Sequence, residues 1–258
     1  MPKLTVTVIT LNEAGRIEEC LESVGWADEI IVVDSGSTDG TPGLARHHGA
    51  RVIVRDWPGY SPQKNFAASE AANDWILSLD ADERVTPELA AEIRRTLSSE
   101  PPVAGFRMPR VTWHLGRWIR TTDWYPDFQL RLYDRRRARW ADRRVHESVA
   151  ADGPVGRLQH DLQHYAYRDL AHHHRTMERY TMLAADEMRA AGRRANVFDL
   201  TVHPIAAFVR NYIFRAGVLD GMPGFIVSVM NAYYVFLKFA RLWELERQAR
   251  KPGPEAWK

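Results

Sequence analysis

A short apolar run that ends in three carboxylates sets the strongest constraint on the fold of this chain. The stretch from Trp75 to Glu83 reads W-I-L-S-L-D-A-D-E. Its apolar residues lack helical spacing, so the run predicts a strand that is buried on both faces. In an open α/β sheet, ligands bind beyond the carboxyl ends of the strands. Asp80 and Asp82 therefore suit either a hard divalent cation or, as the simpler alternative, an ordinary acidic turn.

Two further strands are predicted to end in polar loops. The first covers Leu4 to Thr10 and is followed by T-L-N-E, residues 10–13, and the second covers Ile30 to Val33 and is followed by D-S-G-S-T-D-G-T, residues 34–41. Predicted helices separate the strands, and this alternation indicates βαβ units with a parallel sheet. Because a parallel sheet brings its carboxyl ends to one edge, we expect these loops and residues 80–83 to line one cleft.

The C-terminal third has a different pattern. Helical spacing begins after Asp169 and predicts three helices, over residues 177–188, 204–219 and 225–247. We therefore predict an α/β domain over residues 1–165 and a helical section over residues 166–258. Basic residues beside wide apolar faces suit three alternatives for this section: contact with a membrane surface, packing on the α/β domain, or a homo-oligomer interface.

Composition and motifs narrow the function classes. The formal net charge of this 258-residue chain is +2, which does not predict a nucleic-acid binder, and its single cysteine allows no intrachain disulfide and suits a reducing compartment. The N-terminus does not resemble a signal peptide, and the apolar stretch from Met222 to Leu237 falls short of the roughly 20 residues of a membrane span. The sequence has neither a Rossmann glycine motif nor a P-loop.

Three motifs carry a family resemblance. V-I-T-L-N-E, I-V-V-D-S-G-S-T-D-G-T and L-S-L-D-A-D-E, in this order, resemble the family 2 glycosyltransferases, which have the GT-A fold, a Rossmann-like α/β fold of nucleotide-diphospho-sugar transferases. The later segments R-L-Y, V-H-E and R-A-G-V-L-D-G-M-P-G-F resemble the branch with the lipopolysaccharide inner-core β-glucosyltransferases. The resemblance implies an inverting, metal-dependent hexosyltransferase. It would move a sugar from a nucleotide sugar, such as UDP-glucose, to a hydroxyl of a lipopolysaccharide core or another envelope glycan.

The resemblance also implies roles for residues of the three loops. It assigns binding of the nucleotide sugar to Thr10, Leu11, Asn12, Glu13, Asp34, Gly36, Lys64, Asp80 and Ala81. Asp34 would meet the base and ribose, and Lys64 would add positive charge near the phosphates, unless it is a solvated helix lysine. Mg²⁺ or Mn²⁺ would be held by Asp82, Asp80 and His146, with His164 as the alternative to His146.

An inverting transfer needs a general base at the acceptor hydroxyl, opposite the leaving diphosphate. The candidates are Glu147, in V-H-E, and Asp127, which begins the segment D-F-Q-L-R-L-Y. In many family members the base is an acid well after the metal aspartates, which favours Asp127. However, Asp127 is predicted to begin a hairpin here, so we expect Glu147 to be the base slightly ahead of Asp127.

Two segments in the middle of the chain have two interpretations each. Residues 111–125 interleave Trp113, Trp118 and Trp124 with basic residues, which suits either an anionic sugar acceptor or a packed loop. Arginines concentrate over residues 135–144, and we predict a hairpin with its turn at Arg135 to Arg139. That tip would meet acceptor phosphates or anionic lipids, or would simply be solvated.

Two other classes of protein compete with a glycosyltransferase. A sugar-phosphate nucleotidyltransferase would share the sheet and the carboxylates, but it should carry a glycine-rich basic loop after the first strand. A non-catalytic glycan- or lipid-binding module would not need Asp80 and Asp82 together with Glu147. For the enzyme we expect a glycolipid or glycan acceptor and a cytoplasmic location, with attachment to the cytoplasmic face of the inner membrane as an option.

Overall fold

The computed structural model describes residues 2–141 and 148–250, the last two by their backbone alone. The strands are β1 Leu4–Thr10, β2 Glu29–Asp34, β3 Arg51–Val54, β4 Trp75–Asp80, β5 Glu83–Val85, β6 Gly105–His114, β7 Arg117–Ile119, β8 Asp127–Asp134, β9 Ala138–Ala141, β10 Ser148–Ala151, β11 Val155–Arg157 and β12 Leu162–His164. The helices are α1 Ile17–Glu22, α2 Thr41–His47, α3 Tyr60–Ser69, α4 Pro87–Ser98, α5 Leu170–Ala190, α6 Val197–Val209 and α7 Gly221–Arg250.

One sheet organises the α/β part of the chain. Its strand order is β3-β2-β1-β4-β8-β6-β12-β5. The first four strands of this order are parallel, with Val6 of β1 opposite both Ile30 of β2 and Leu77 of β4. β8 pairs antiparallel with both β4 and β6, with Leu77 opposite Leu132 of β8, and β11 pairs parallel with β6. The predicted α/β class with a mostly parallel sheet and a C-terminal helical section is confirmed.

β1 and β4 are buried on both faces, which explains why neither carries a charged side chain before its last residue. On one face, Val6 and Leu79 pack with Leu21 of α1 and Ile93 of α4. On the other face, buried residues of β1, β2 and β4 pack with alanines of α3. An apolar strand of this kind is stable only between two layers of helices. The residues that follow β1 and β2 are more exposed than the strands themselves, as Leu11 and Gly36 are.

The chain divides into two compact units. Unit 1 comprises Met1–Val111 and Pro126–Tyr165, and unit 2 comprises Thr112–Tyr125 and Ala166–Lys258. The tryptophan-rich segment thus belongs to the helical unit, whereas the sequence analysis assigned it to the α/β domain. The domain boundary after residue 165 stays a prediction.

The second helix of the helical section begins earlier than predicted. The sequence analysis started it at Pro204, because proline favours the first turn of a helix. In the structure α6 starts at Val197, where the Asn196 side chain accepts a hydrogen bond from the Asp199 amide and the Asp199 side chain accepts one from the Asn196 amide. This capping box begins the helix. After α6, Arg210–Phe214 forms a π-helical turn.

The predicted hairpin after β8 is wrong. β9 pairs with β10 in a separate two-stranded sheet. The physical reason is that β8 already has β4 on one edge and β6 on the other, so neither edge can accept β9. The arginines between these strands have structural partners: Arg135 donates to the carbonyls of Ala68 and Ala71 at the C-terminal end of α3. A cation there complements the helix dipole.

Unit 2 contains a cluster of aromatic and imidazole rings. The rings of Tyr167 and His173 stack with centroids 4.3 Å apart, and His114 Nε2 lies 3.2 Å from His173 Nδ1. Trp124 contacts the rings of His114 and His173 as well. Burial, reinforced by the neighbouring His114, His174 and His172, lowers the pKa of His173 to about 4. His173 is therefore neutral at pH 7.

His173 should make the protein less stable in mild acid. Its folded pKa lies below its unfolded value of 6.5, so the unfolded state binds the proton first as the pH falls. We expect the free energy of unfolding to drop by up to about 2–3 kcal/mol between pH 6.5 and pH 4 from this group. In urea titrations, His173→Phe should flatten this slope, while the surface variant His47→Gln should keep it. An unchanged slope in His173→Phe would contradict the prediction.

One helical stretch of unit 2 has the length and composition of a membrane span. Among the described residues, only Gly217–Gln248 meets both criteria, with a hydropathy of 1.3 and 22% of its apolar window buried. The core helix of a soluble protein can have the same length and composition.

Candidate active site

The loops after β1 and β2 are joined by hydrogen bonds. The Asn12 amide donates to Ser37 Oγ at 2.8 Å, and the Thr38 amide donates to Asn12 Oδ1 at 2.9 Å. Asn12 has a φ of 56°, a left-handed conformation that asparagine tolerates better than most residues. The Glu13 amide donates to Thr41 Oγ1 at 2.9 Å. The two loops therefore form one surface at the carboxyl edge of the sheet.

Asp34 is the centre of this surface. Its buried carboxylate accepts hydrogen bonds from the Gly36 amide at 3.0 Å, the Ser37 amide at 2.8 Å, Thr10 Oγ1 at 2.9 Å and Ser37 Oγ. A carboxylate offers about four acceptor positions, so these bonds occupy it. In this structure Asp34 orders its own loop, and its predicted contact with a base and ribose would require exchange of one of these partners.

The other loop candidates differ in exposure. Leu11 is half exposed, and Ala81 is buried. The Glu13 carbonyl accepts from the amides of Arg16 and Ile17 and so starts α1, while the Glu13 carboxylate lies 4.0 Å from Arg16 Nη1. A nucleotide could reach Leu11 and the loop backbone directly, whereas Glu13 acts here at the start of the helix.

A largely buried chain of alternating charges includes two of the carboxylates at the end of β4. Its members are Lys64, Asp80, Arg131, Glu83, Arg110 and Asp127, in this order. Lys64 Nζ lies 2.9 Å from Asp80 Oδ1, and Arg131 Nη2 lies 2.6 Å from Asp80 Oδ2. Each Asp80 oxygen thus has a cationic partner. The placement of Lys64 beside Asp80 excludes the alternative of a solvated helix lysine.

Glu83 holds the other half of this charge chain. It is fully buried, and its Oε1 accepts from Arg131 at 2.7 Å and from Arg110 at 3.0 Å. Its Oε2 accepts from the Asp80 amide at 3.0 Å. Glu83 therefore orients both arginines and the backbone at the end of β4.

Ion pairing within the charge chain outweighs the cost of burial, so these groups stay charged. Burial opposes ionisation of Asp80, but Lys64 and Arg131 outweigh it and hold the pKa of that carboxyl well below its usual range. Burial likewise opposes the charge of Arg131, and Glu83 and Asp80 raise its pKa. Burial, with Glu83, Asp82 and Asp80 adding negative charge, raises the pKa of the Cys20 thiol, so this cysteine is an inert core residue.

Asp82 lies outside the charge chain and has weaker partners. Its Oδ2 lies 3.5 Å from Arg16 Nη1 and 3.6 Å from His164 Nε2. Burial opposes its ionisation, but the His164 contact and the charge of Arg16 keep the pKa of Asp82 below its usual value. The Asp82 carbonyl also accepts from the Tyr165 amide at 2.8 Å, which fixes the chain that carries His164.

Asp82 and His164 fit a small divalent cation. Two atoms that each bind one such ion at about 2.1 Å lie roughly 3–3.5 Å apart, close to the separation of Asp82 Oδ2 and His164 Nε2. Within residues 2–141 and 148–250, no group of three or more His, Cys, Asp or Glu side chains is arranged for a metal. The pair would leave coordination positions for phosphate oxygens and water, as Mg²⁺ sites commonly do.

Of the two candidate bases, the structure describes only Asp127. Asp127 Oδ2 accepts from Arg110 at 2.7 Å, and Asp127 Oδ1 accepts from Gln129 at 2.7 Å. Asp127 would have to leave Arg110 to take a proton from an acceptor. Glu147 and His146 lie outside the described residues, so their predicted roles stay predictions.

Sequence reasoning assigned no role to Arg16, Arg110 or Arg131. Arg131 lies in R-L-Y, a segment that was noted only as part of the family resemblance. The signal in the sequence was an arginine between two leucines of a predicted strand; in the structure Leu130, Arg131 and Leu132 are all buried. Such an arginine needs a buried carboxylate.

Comparisons with known proteins identify the family of this chain. The model of "Glycosyl transferase family 2" matches residues 5–151. The lipopolysaccharide core biosynthesis glycosyltransferase LpsC of Rhizobium meliloti is 31% identical over 264 residues, covering 98% of this chain and 97% of LpsC. An uncharacterized glycosyltransferase of Rickettsia felis is 33% identical and covers 95% of this chain and 90% of its own.

A solved structure shows the same fold. The mannosyltransferase PcManGT of Pyrobaculum calidifontis, in complex with GDP-Man and Mn²⁺, has a TM-score of 0.57 at 18% identity and covers 94% of this chain and 88% of its own. The α/β unit and its polar strand ends define a GT-A-like transferase. This chain belongs to glycosyltransferase family 2 and is a glycosyltransferase. The family excludes the two competing classes, a nucleotidyltransferase and a binding module.

Proposed function

We propose that this enzyme transfers a hexose from a nucleotide sugar to a hydroxyl of a lipopolysaccharide-core or related envelope glycan, with inversion at the anomeric carbon. The observation that carries the proposal is the Asp82–His164 pair beside the charge chain, at the strand ends where a nucleotide diphosphate binds in such sheets. The similarity to LpsC over nearly the full length supports the acceptor class. UDP-glucose is the donor that the family resemblance favours.

In this proposal the described residues of the site have separate roles. The joined loops after β1 and β2 bind the nucleoside through Thr10, Asn12 and backbone groups. Lys64 neutralises Asp80 and adds positive potential toward the diphosphate. Asp82 and His164 would hold Mg²⁺ or Mn²⁺, which when bound would offset the charge that develops on the departing diphosphate. Arg131 and Glu83 keep Asp80 in place during the transfer.

A titration tests donor and metal together. The purified full chain is titrated with UDP, GDP, CDP and dTDP, each with and without Mn²⁺, and release of UDP from UDP-glucose is then measured with and without an acceptor glycan. We expect tighter UDP binding in the presence of Mn²⁺ and UDP release that depends on the acceptor. Preference for another nucleotide would discard UDP-glucose, and binding that ignores the metal would contradict metal dependence.

The general base can be identified by two isosteric variants. If Glu147 is the base, Glu147→Gln should lower turnover by about 10²–10⁴-fold, because the acceptor proton has no receiver, and should leave UDP binding unchanged. Asp127→Asn should then retain most of its turnover. The reverse result would assign the base to Asp127. Thermal unfolding of both variants checks that the Arg110 contact of Asp127 has not altered stability instead.

The location follows from the substrates in this proposal. Nucleotide sugars are cytoplasmic metabolites, and envelope glycolipids are assembled in a membrane. We therefore propose that the enzyme acts in the cytoplasm on acceptors at the inner membrane.

A further inference from the structure

The turn between α6 and α7 is polar inside and apolar outside. We call five side chains of this turn the apolar tip: Ile213, Phe214, Val218, Leu219 and Met222. Phe214 is 79% exposed, Leu219 73% and Met222 67%. In the same segment Asn211, Asp220 and Ser228 are buried. A surface turn in water normally shows the opposite distribution.

Buried partners hold the polar groups of this turn in place. Asp220 Oδ2 accepts from the Arg120 amide at 3.0 Å and from Thr121 Oγ1 at 2.5 Å, and Asp220 Oδ1 lies 2.9 Å from Arg117 Nη2. Asn211 Oδ1 accepts from the Asp123 amide at 2.8 Å. The exposed apolar side chains are thus presented by a backbone that is already ordered, which reduces the entropy cost of docking.

Close backbone packing keeps the turn rigid. A Cβ added at Gly224 would lie 2.0 Å from the Gly217 carbonyl oxygen, and a Cβ added at Gly217 would lie 2.8 Å from the Asn211 carbonyl oxygen. Both glycines are therefore required for this approach. The turn cannot easily rotate its apolar side chains inward.

The apolar surface extends from the tip along both helices. Phe198, Val202, Ile205 and Val209 are exposed along one face of α6, and Phe225, Val229, Tyr233 and Phe236 are exposed along one face of α7. The two faces meet where Phe225 contacts Phe208 and Tyr212. An apolar surface of this extent is typical of a docking site.

The charges around the tip are positive. From Leu200 to Trp243 the sequence contains four Lys or Arg residues, Arg210, Arg215, Lys238 and Arg241, and one acidic residue, Asp220, which is buried. Arg210 precedes the tip and Arg215 lies within it; both are more than half exposed and pair with Asp123. An apolar surface bordered by arginines complements an apolar layer beneath anionic head groups.

We propose that the apolar tip inserts into the surface of a bilayer that contains anionic phospholipids. The exposed phenylalanine and aliphatic side chains enter the boundary between head groups and acyl chains, and Arg210 and Arg215 lie at the level of the phosphates. A second copy of the chain fits less well as the occupant, because a two-fold contact would place the same arginines of both copies near one another. Docking needs no nucleotide, so it stands apart from the proposed transfer reaction.

Vesicle flotation of the full chain tests this proposal. We expect the wild type to float with vesicles of phosphatidylcholine and phosphatidylglycerol, and less with phosphatidylcholine alone. Phe214→Ser combined with Leu219→Ser should weaken binding to the mixed vesicles by about tenfold or more. Arg215→Gln should weaken binding to the mixed vesicles by about fivefold and reduce its salt dependence, with little effect on phosphatidylcholine vesicles.

An exposed apolar residue on β3 provides a matched control for the vesicle experiment. Val54→Ser replaces an equally exposed apolar residue on β3, and it should bind vesicles like the wild type. Circular dichroism confirms that each variant is folded, and the single charge variant gives a second test if the double variant is not. Wild-type protein that stays unbound to mixed vesicles overturns the proposal. So does a dimer in light scattering that the double variant dissociates while vesicle binding is absent, because the second copy is then the occupant.

Discussion

Replacing Asp82 with alanine is expected to abolish the metal dependence of nucleotide binding and to lower turnover by about 10³-fold, if the proposed transfer is correct. The carboxylate is the anionic member of the Asp82–His164 pair, and the neighbouring Arg16 and His164 keep it ionised at neutral pH. Lewis-acid stabilisation of a leaving group contributes several kcal/mol, which sets the size of the effect. Calorimetric titration with UDP and Mn²⁺, followed by turnover, measures both parts.

Two variants make this experiment specific. Asp74→Ala removes an exposed carboxylate just before β4, at the opposite end of the same strand, and should leave UDP and Mn²⁺ binding unchanged. His164→Ala should weaken Mn²⁺ binding by about 10–100-fold if His164 rather than His146 is the second ligand. Metal-dependent UDP binding that survives in Asp82→Ala would show that another carboxylate holds the ion.

Arg131→Met is expected to lower the free energy of unfolding by about 3–5 kcal/mol. Arg131 is buried and its Nη2 bridges Asp80 at 2.6 Å and Glu83 at 2.7 Å. Removing one partner of a buried ion pair leaves uncompensated charge in a poorly solvating environment, which costs more than the lost attraction. Urea unfolding followed by tryptophan fluorescence measures the difference. A loss below about 1 kcal/mol would show that water or Lys64 compensates for Asp80.

An exposed arginine and a change of pH provide the controls for the Arg131→Met experiment. Arg136 forms comparable pairs with Asp134 and Asp74 but is 63% exposed, so Arg136→Met should lower the free energy of unfolding far less than Arg131→Met does. The pKa of Asp80 is lowered on folding from 3.8, so its contribution to stability is present above pH 3.8 and is lost as the pH falls below it. The advantage of the wild type over Arg131→Met should therefore shrink in strong acid.

The hydrophobic pattern was enough to predict the α/β half of the fold. A strand covered on both faces carries no charged residue in its interior, and β1 and β4, which have only apolar, threonine and serine residues before their last position, show this pattern in the sequence. Their residue ranges agree with the prediction within a residue because a polar loop ends each run. The pairing of β9 with β10 was not predictable locally, because it depends on β4 and β6 occupying both edges of β8.

In the candidate site too, the sequence predicted the local features and missed the contacts between distant segments. The motifs identified Asp34, Asp80 and Asp82 because carboxylates at consecutive strand ends are visible in any sequence of this kind. The partners of these carboxylates come from far along the chain: Arg131 reaches Asp80 from β8, and His164 reaches Asp82 from β12. A spacing rule within one loop cannot report such contacts.

The sequence by itself determined the family, the parallel core and the carboxylates at the strand ends, because each depends on residues close together in the chain. Only the tertiary structure decided which carboxylate is neutralised by two close cations and which has more distant partners. Asp80 and Asp82 are separated by one residue, yet Asp80 meets Lys64 and Arg131 while Asp82 meets Arg16 and His164. Charge state depends on the groups that folding brings within a few ångströms, and these come from distant segments.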